Sequence, residues 1–586
     1  MRGSFLRPLT RRLSLCLVLC SLSTLAYICL LGSPRLQLTS SLNGLVDDPG
    51  GDDSPQTGSA TQAGRELTCD INGLQHVSCL RDGLEVFLPF SFIRKYFEVY
   101  GKLSADGSTF HWQHSYSKYS NPSQKYKANG PYLWFGNYNV AIRDRVKVIS
   151  GIEGKPKRSS RGVPVSTQWN SSGHLYPTQI AQFGLSHFSK NLTATSTTRR
   201  QFLLTRGTTQ DGCEWKAKEG AVFRPTSDED TGRPVMEFRT SEGEAAPGVE
   251  LDFETTEQFP IVQLDLFLGQ NGSVSVYVIA SGTTYGVHYV MTDVLISSKG
   301  QDVYVGIGAS RNAWRTLTRD VFIDLRKGLQ TGTGKRASRT AAALVGKTVQ
   351  IVKIVFRGHG RIGNATLLTQ AHDEYFFAAC NYLVKNQDRD GGWPITVGRN
   401  LVPELLFLTA PWYSAMAQGQ CMSLLVRAYL VTRQQIYLQS ALRALELFKK
   451  DSRNGGVLTK FADKYSWYEE YPTPKSSFVL NGFIYSLFGI YDVFKVSNDS
   501  GARTLFLDGM TSLKHMLPLF DTGSGSVYDL RHFSIPSLPP NIARWDYHTT
   551  HISQLLYLNT IMQSKILETT AQRWIDYLHG KRAPHN

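Results

Sequence analysis

The chain has 586 residues, too many for one hydrophobic core, so two or three domains are expected. It carries 63 Lys and Arg against 48 Asp and Glu, an excess that favours an anionic partner. Nucleic acid is disfavoured: no zinc-finger spacing, RNP motif or basic helical region is present, and the basic residues are dispersed among Gly-, Ser- and Tyr-rich loops. That dispersal suits a long, flexible polyanion.

At the N-terminus, Arg2, Arg7, Arg11 and Arg12 precede an apolar run from Leu13 to Leu31, which Gly32-Ser33-Pro34 ends. The run is long enough to cross a ~30 Å hydrocarbon core as a helix. Its positive flank keeps the N-terminal side cytoplasmic. It exceeds the usual apolar core of a cleaved signal peptide and lacks an A-x-A site. The expected arrangement is a cytoplasmic tail over 1–12, a transmembrane signal-anchor over 13–31 and a lumenal stem over 32–66. The stem is rich in Ser, Gly, Asp and Thr and cannot pack a core. Sequons at Asn170, Asn191, Asn271, Asn364 and Asn498 agree with a secretory address. Cys69 and Cys79 are placed to close a short loop, whereas Cys380 and Cys421 sit in apolar helical contexts and read as buried thiols.

Residues 67–154 alternate short β-like runs, such as Glu85 to Phe90 and Tyr132 to Phe135, with polar turns, and read as a β-hairpin domain. Tyrosines are dense there; sheet packing accounts for most, and some could serve as platforms for sugar rings. Residues 155–365 run strand after strand: Val249 to Phe253, Ile261 to Leu268, Val274 to Ile279, Val303 to Ile307 and Thr348 to Phe356. Gly and polar turns separate them, as in a β-sandwich or barrel. The segment Lys327 to Arg336 superficially suggests a phosphate loop but lacks the first glycine and the Ser/Thr, so it reads as a mobile basic loop.

Residues 366–586 switch to helical periodicity. Phe376 to Val384, Met416 to Leu430, Ile436 to Phe448, Ser477 to Phe494, Ala502 to Leu519, His551 to Ile561 and Ile566 to Leu578 carry apolar residues three and four apart. Antiparallel pairs joined by Gly- and Pro-bearing loops suggest an incomplete α/α barrel. The fold class is thus multidomain α and β.

The chemistry lies in the loops of this last domain. Tyr471, Tyr528 and Tyr547 each sit at a helix mouth among polar neighbours, with Glu470 beside the first and Arg531 and Arg544 as cations. Arg can neutralise a substrate carboxylate, and a tyrosine whose pKa is depressed by cations can move a proton at the adjacent carbon. Loop packing is the bland alternative. Asp546, His548 and His551 offer a metal reading, but a third ligand at characteristic spacing is missing, and hydrogen-bonded histidines are expected instead. No Gly-x-Ser-x-Gly or Cys–His pattern supports a nucleophilic hydrolase.

The blocks Glu85 to Phe90, Arg143 to Lys147, Ser166 to Trp169, Trp412 to Gln420, Trp467 to Pro472 and Asn541 to His551 closely resemble the D-glucuronyl C5-epimerase family of heparan sulfate synthesis. The resemblance implies a Golgi type II membrane enzyme that converts D-glucuronosyl units of N-sulfated heparosan to L-iduronosyl units. It implies a homodimer, a carbanion-like intermediate and no redox cofactor. It places catalytic roles on Tyr471, Tyr528 and Tyr547, with Glu470 beside them. It places substrate contacts on Tyr138, Arg143, Asp144, Arg145, Gln168, Tyr176, Gln179 and Gln182. Further contacts fall on Asn481, Tyr485, Arg531, Asn541, Arg544, Trp545, Asp546, His548, Thr549 and Thr550.

Two departures stand out. Residues 155–162 look like a basic insertion near the implied glycan contacts. Gly363 stands where the family has a calcium-binding aspartate, and the segment after Asn191 diverges, which leaves a structural calcium doubtful. Two other functions remain open: a uronate polysaccharide lyase, which begins with the same proton abstraction, and a non-catalytic heparan-binding Golgi protein.

Overall fold

The structure is a computed structural model. It describes residues 65–583 apart from 72–74, 83–84, 88–100, 104, 106–109, 113–117, 133–147, 151–161, 167, 195–196, 206–207, 210–212, 241–247, 257–258, 270, 309–310, 332–343, 345–348 and 544–545. The expected tail, anchor and nearly all of the stem lie outside the described residues. Among those described, no helix is long and apolar enough to cross a membrane.

The described part opens with an antiparallel three-stranded sheet, Arg65–Ile71, Gln75–Asp82 and Glu85–Phe87, in which Cys79 is disulfide-bonded. Two smaller ladders follow, Gly101–Leu103 with Phe110–Trp112 and Val148–Ser150 with Pro164–Ser166.

Two seven-stranded sheets then face each other as a β-sandwich. Alternation builds its core: on Ile261–Leu268, Leu264, Leu266 and Leu268 point inward while Gln263, Asp265 and Phe267 do not. Val274, Val276 and Val278 do the same on Ser273–Ala280. Both sheets keep open edges, so the domain is a sandwich and not a closed barrel. The expected strands fall where their periodicity put them, Ile261–Leu268 to the residue.

One expectation fails in this domain. Lys327 to Thr331 do not form a loop; they complete helix Val321–Thr331, with Lys327 and Leu329 buried. Gly328 packs directly on Val303, a contact that a Cβ would block.

The helical core is built from helices α1 (Pro177–Thr193), α2 (His372–Asn386), α3 (Ala415–Thr432), α4 (Gln435–Arg443), α5 (Leu480–Ser497), α6 (Ser500–Met516), α7 (Tyr547–Ile561) and α8 (Lys565–Leu578). They pack as hairpins without closing a barrel. α3 and α5 form its centre and are buried along most of their length. They cross where Gly419 meets Gly489, and a Cβ on either would overlap the other helix. Ser414 caps α3 by accepting from the Ala417 amide at 3.4 Å, and Asp499 caps α6 by accepting from the Ala502 amide at 2.8 Å.

The domain boundary at 155 needs correction. Tyr126, Ala128, Tyr132, Val163 and, from α1, Ile180, Ala181, Phe183, Leu185 and Phe188 belong to the helical core, although they precede the sandwich in sequence. A buried ion pair clamps the early strap. Arg427 of α3 donates to Asp492 of α5 at 2.8 Å and to the Gly130 carbonyl at 3.2 Å, and Tyr126 donates to the same Asp492 carboxylate at 2.9 Å. The sandwich in turn rests on α2, where Tyr375 packs against Ile261, Leu368 and Ala371.

Candidate active site

The loop 469–473 leaves the hairpin Leu458–Phe461/Tyr465–Tyr468 and is pinned between the starts of α3 and α5. The Glu469 carbonyl accepts from the Ala415 amide at 2.9 Å. Its carboxylate accepts from the Phe478 amide and the Ser477 hydroxyl, both at 3.2 Å. Phe478 is held at φ 54, a left-handed conformation that costs free energy and persists only where surrounding contacts enforce it.

Glu470 is thereby driven into the interior against Gly482 in the first turn of α5, and its Oε2 has no hydrogen-bond partner. Burial pushes its pKa up to about 7; the hydrogen-bonding Tyr471 hydroxyl and Arg399 oppose the rise, and Asp529 adds to it. Burial likewise pushes Glu469 up to about 8, against the hydrogen bonds from Phe478 and Ser477.

Tyr471 belongs to an aromatic cluster with Tyr176, Trp412, Ile395, Leu408 and Val479, against which Trp169 and Tyr528 pack. Its ring lies 5.9 Å from that of Trp412. Tyr528 and Tyr547 meet edge to face at 4.7 Å, with an interplanar angle of 72°. The three tyrosines and Glu470 act on one another electrostatically, so they converge on one locus. The sequence-based idea that cations depress the tyrosine pKa values is overturned for Tyr471 and Tyr528. Burial raises both, and the negative Glu470 beside them raises them further.

Arg531 is committed elsewhere. Its Nε donates to both oxygens of Asp529, at 2.7 and 2.8 Å, and its Nη2 donates to Oδ2 of the same carboxylate. Asn541 also donates to Asp529 Oδ2, at 2.8 Å, across the ladder Val527–Asp529/Asn541–Ile542. Both residues border the tyrosine site, tethered to Asp529.

Tyr176, Gln179 and Gln182 line up at the start of α1, all buried; Gln179 donates to the Gln168 side chain at 3.2 Å, and Gln182 Oε1 has no partner. Asn481, one residue before Gly482, carries an unpartnered Oδ1. Tyr485 lies a turn deeper, in the helical core. Asp546, Thr549 and Thr550 form the first turn of α7, where both threonine hydroxyls donate to the Asp546 carbonyl at 2.9 Å.

His548 does not line the site. It is buried, hydrogen-bonded to Ser526 Oγ at 2.8 Å, with its ring beside Trp574. His551 shares that hydroxyl at 3.0 Å. Burial lowers the pKa of both, His548 to about 4, so they are neutral core imidazoles. Tyr138, Arg143, Asp144, Arg145, Arg544 and Trp545 lie outside the described residues.

A structural calcium would have to be held beside Gly363. The space beside it is taken by Asp265, whose carboxylate accepts from Arg233 at 2.6 Å; a Cβ on Gly363 would stand 2.8 Å from that carboxylate. The donors there already serve a guanidinium, and no cluster of three metal-ligating side chains exists among the described residues. These residues do not fit calcium.

Two residues of the site escaped the sequence reading of function, Arg399 and Trp412. Arg399 lies on the hairpin Arg399–Val402/Leu406–Leu408, and its guanidinium stands 4.6 Å above the Trp169 ring. A lone arginine in an apolar run gives no signal; Trp412 was visible only as part of a motif.

A buried carboxyl group raised to about 7 among tyrosines suits an enzyme of acid–base chemistry. Comparison with known proteins makes this specific. The profile "D-glucuronyl C5-epimerase C-terminus" matches residues 387–576, and "D-glucuronyl C5-epimerase, beta-sandwich domain" matches 232–359. A D-glucuronyl C5-epimerase of Caenorhabditis elegans is 35% identical over 89% of this chain and 90% of its own. An uncharacterised protein of Methanocaldococcus jannaschii is 34% identical over 21% of this chain and 41% of its own. A solved polysaccharide lyase aligns over 62% of this chain and 71% of its own at 12% identity, with a TM-score of 0.22 that carries no argument. The chain belongs to the D-glucuronyl C5-epimerase family, and it is an isomerase.

Proposed function

We propose that the protein inverts C5 of D-glucuronosyl residues in N-sulfated heparosan, giving L-iduronosyl residues during heparan sulfate and heparin synthesis. The observation that carries the chemistry is Glu470, buried at a pKa of about 7 beside Tyr471, with Tyr528 and Tyr547 joined edge to face in the same cluster. At neutral pH Glu470 is partly ionised, while Tyr471 and Tyr528 hold their protons.

Tyr471 takes the C5 proton as its own hydroxyl proton passes to Glu470. Negative charge spreads from C5 into the uronate carboxylate. A proton from the Tyr528–Tyr547 pair then reaches C5 from the other face, and solvent restores both sides. No bond but C5–H is broken, so the 4-O substituent stays in place, unlike in a lyase.

Tyr176, Gln168, Gln179 and Gln182 supply hydrogen-bonding groups and an aromatic face to flanking sugars, with Tyr138, Arg143, Asp144 and Arg145 as further contacts. The net charge of +15 suits a sulfated polyanion. The reading extends to a single-pass type II Golgi protein anchored by residues 13–31 and acting as a homodimer without a required cofactor. Four of the five sequon asparagines are exposed, which supports a lumenal face.

The test is deuterium incorporation at uronate C5, with N-sulfated heparosan and the lumenal protein in D₂O. Incorporation with iduronate formed and no ultraviolet-absorbing product supports the epimerase. An unsaturated product would select the lyase. Glycan binding without incorporation would leave a binding protein.

A further inference from the structure

The reaction needs a cation for the substrate's own carboxylate, and Arg531, three residues after Tyr528, is already held by Asp529 through two of its nitrogens. A guanidinium so engaged has its Nε edge occupied and its charge balanced by Asp529. Arg399 is the contrasting case. Its Nε is buried without a hydrogen-bond partner, although a buried guanidinium donor normally has one. Its Cζ stands 4.6 Å from the centre of the Trp169 ring, a contact that holds the guanidinium without using its donors. Trp169 is itself held at φ 68, in the left-handed region a tryptophan rarely adopts.

The placement is equally specific. Arg399 lies within electrostatic reach of both Glu470 and Tyr471. The Trp169 ring beneath it packs 5.2 Å from Tyr176 and 6.5 Å from Trp412, so the guanidinium sits on the same aromatic wall as Tyr471. The hairpin that carries it is anchored by Leu408, buried in that wall and paired with Arg399 in the ladder.

We propose that Arg399, fixed on Trp169, is the residue that binds the carboxylate of the reacting uronosyl unit. Resting on the epimerase reading, this assigns Arg531 to holding Asp529 and the 527–542 ladder. With its donors on the carboxylate, Arg399 stabilises the charge that moves onto those oxygens as C5–H breaks.

The test uses two N-sulfated heparosan hexasaccharides, one intact and one with the central glucuronosyl unit reduced to glucose at C6. Binding of each is measured by calorimetry. The parent is expected to bind the intact chain roughly ten- to a hundredfold more tightly, as hydrogen bonds to charged groups allow. Arg399→Gln is expected to bind the two alike. A variant that keeps the parental preference overturns the proposal. Should Arg399→Gln fail to fold, Arg399→Lys replaces it, and its preference is expected to fall because an ammonium cannot make paired planar contacts. Arg531→Gln, bound to Asp529 in the parent, should keep the preference; its loss there would assign the carboxylate to Arg531. C5 exchange by the parent is measured first, so failure of the epimerase reading is seen separately.

Discussion

Gly482 lies directly against Glu470: a Cβ built on Gly482 would stand 2.6 Å from the Glu470 Cβ and drive into its carboxylate. The group that takes the Tyr471 proton in the proposed reaction therefore depends on a missing methyl group in the first turn of α5. Gly482→Ala is expected to displace Glu470, lowering kcat at least tenfold and stability by about 1–3 kcal/mol from overpacking. Solvent-exchange kinetics and urea midpoints check the two parts.

Glu470→Gln is expected to lower kcat by roughly 10²–10⁴ with little change in KM. In the parent, exchange should rise with pH through about 7, because the working form of Glu470 is the carboxylate. That limb should vanish in the variant. A parental pH profile unchanged in Glu470→Gln would remove Glu470 as the acceptor of the Tyr471 proton.

Glu469 sets a pH dependence of stability. Its folded pKa of about 8 exceeds an ordinary carboxyl value of ~4.3, so between these limits folding takes up a proton. Stability is full below the lower value and falls as pH rises, by up to ~1.4 kcal/mol per unit, until pH passes the folded value. Glu470 acts in the same direction up to about 7. Urea midpoints between about pH 5.5 and 7.5 should decline in the parent and decline less in Glu469→Gln.

Arg427 and Asp492 are both fully buried, and their pair holds the strap through Gly130 and Tyr126. Asp492→Ala leaves a guanidinium uncompensated in the core and should cost about 3–5 kcal/mol. Calorimetric Tm should show the loss, with a smaller one in Tyr126→Phe, which removes the hydroxyl that donates to Asp492 and accepts from Arg427.

The sequence by itself determined the elements whose faces differ. Ile261–Leu268 alternates because one side meets the opposing sheet, and amphipathic helices such as α8 show their period because one face meets water. It also pointed to the tyrosine loops, since Tyr471, Tyr528 and Tyr547 stand out among polar neighbours. It did not reveal α1, which is buried from Pro177 through Ser189 and whose Gln179, Gln182, Ser186 and Ser189 break the apolar pattern without reaching solvent. A helix with no wet face carries no amphipathic period. Nor did it distinguish Lys327 in a helix from Lys327 in a loop, because basic, glycine-containing segments suit both. Tertiary structure alone decided which arginine is engaged, that Glu470 is buried to a near-neutral pKa, and that His548 faces the core. Each of these depends on what lies across space from the side chain: Asp529 for Arg531, Gly482 for Glu470 and Trp574 for His548. Those neighbours come from distant elements, and it is their desolvation and charge, not local spacing, that fix how the site works.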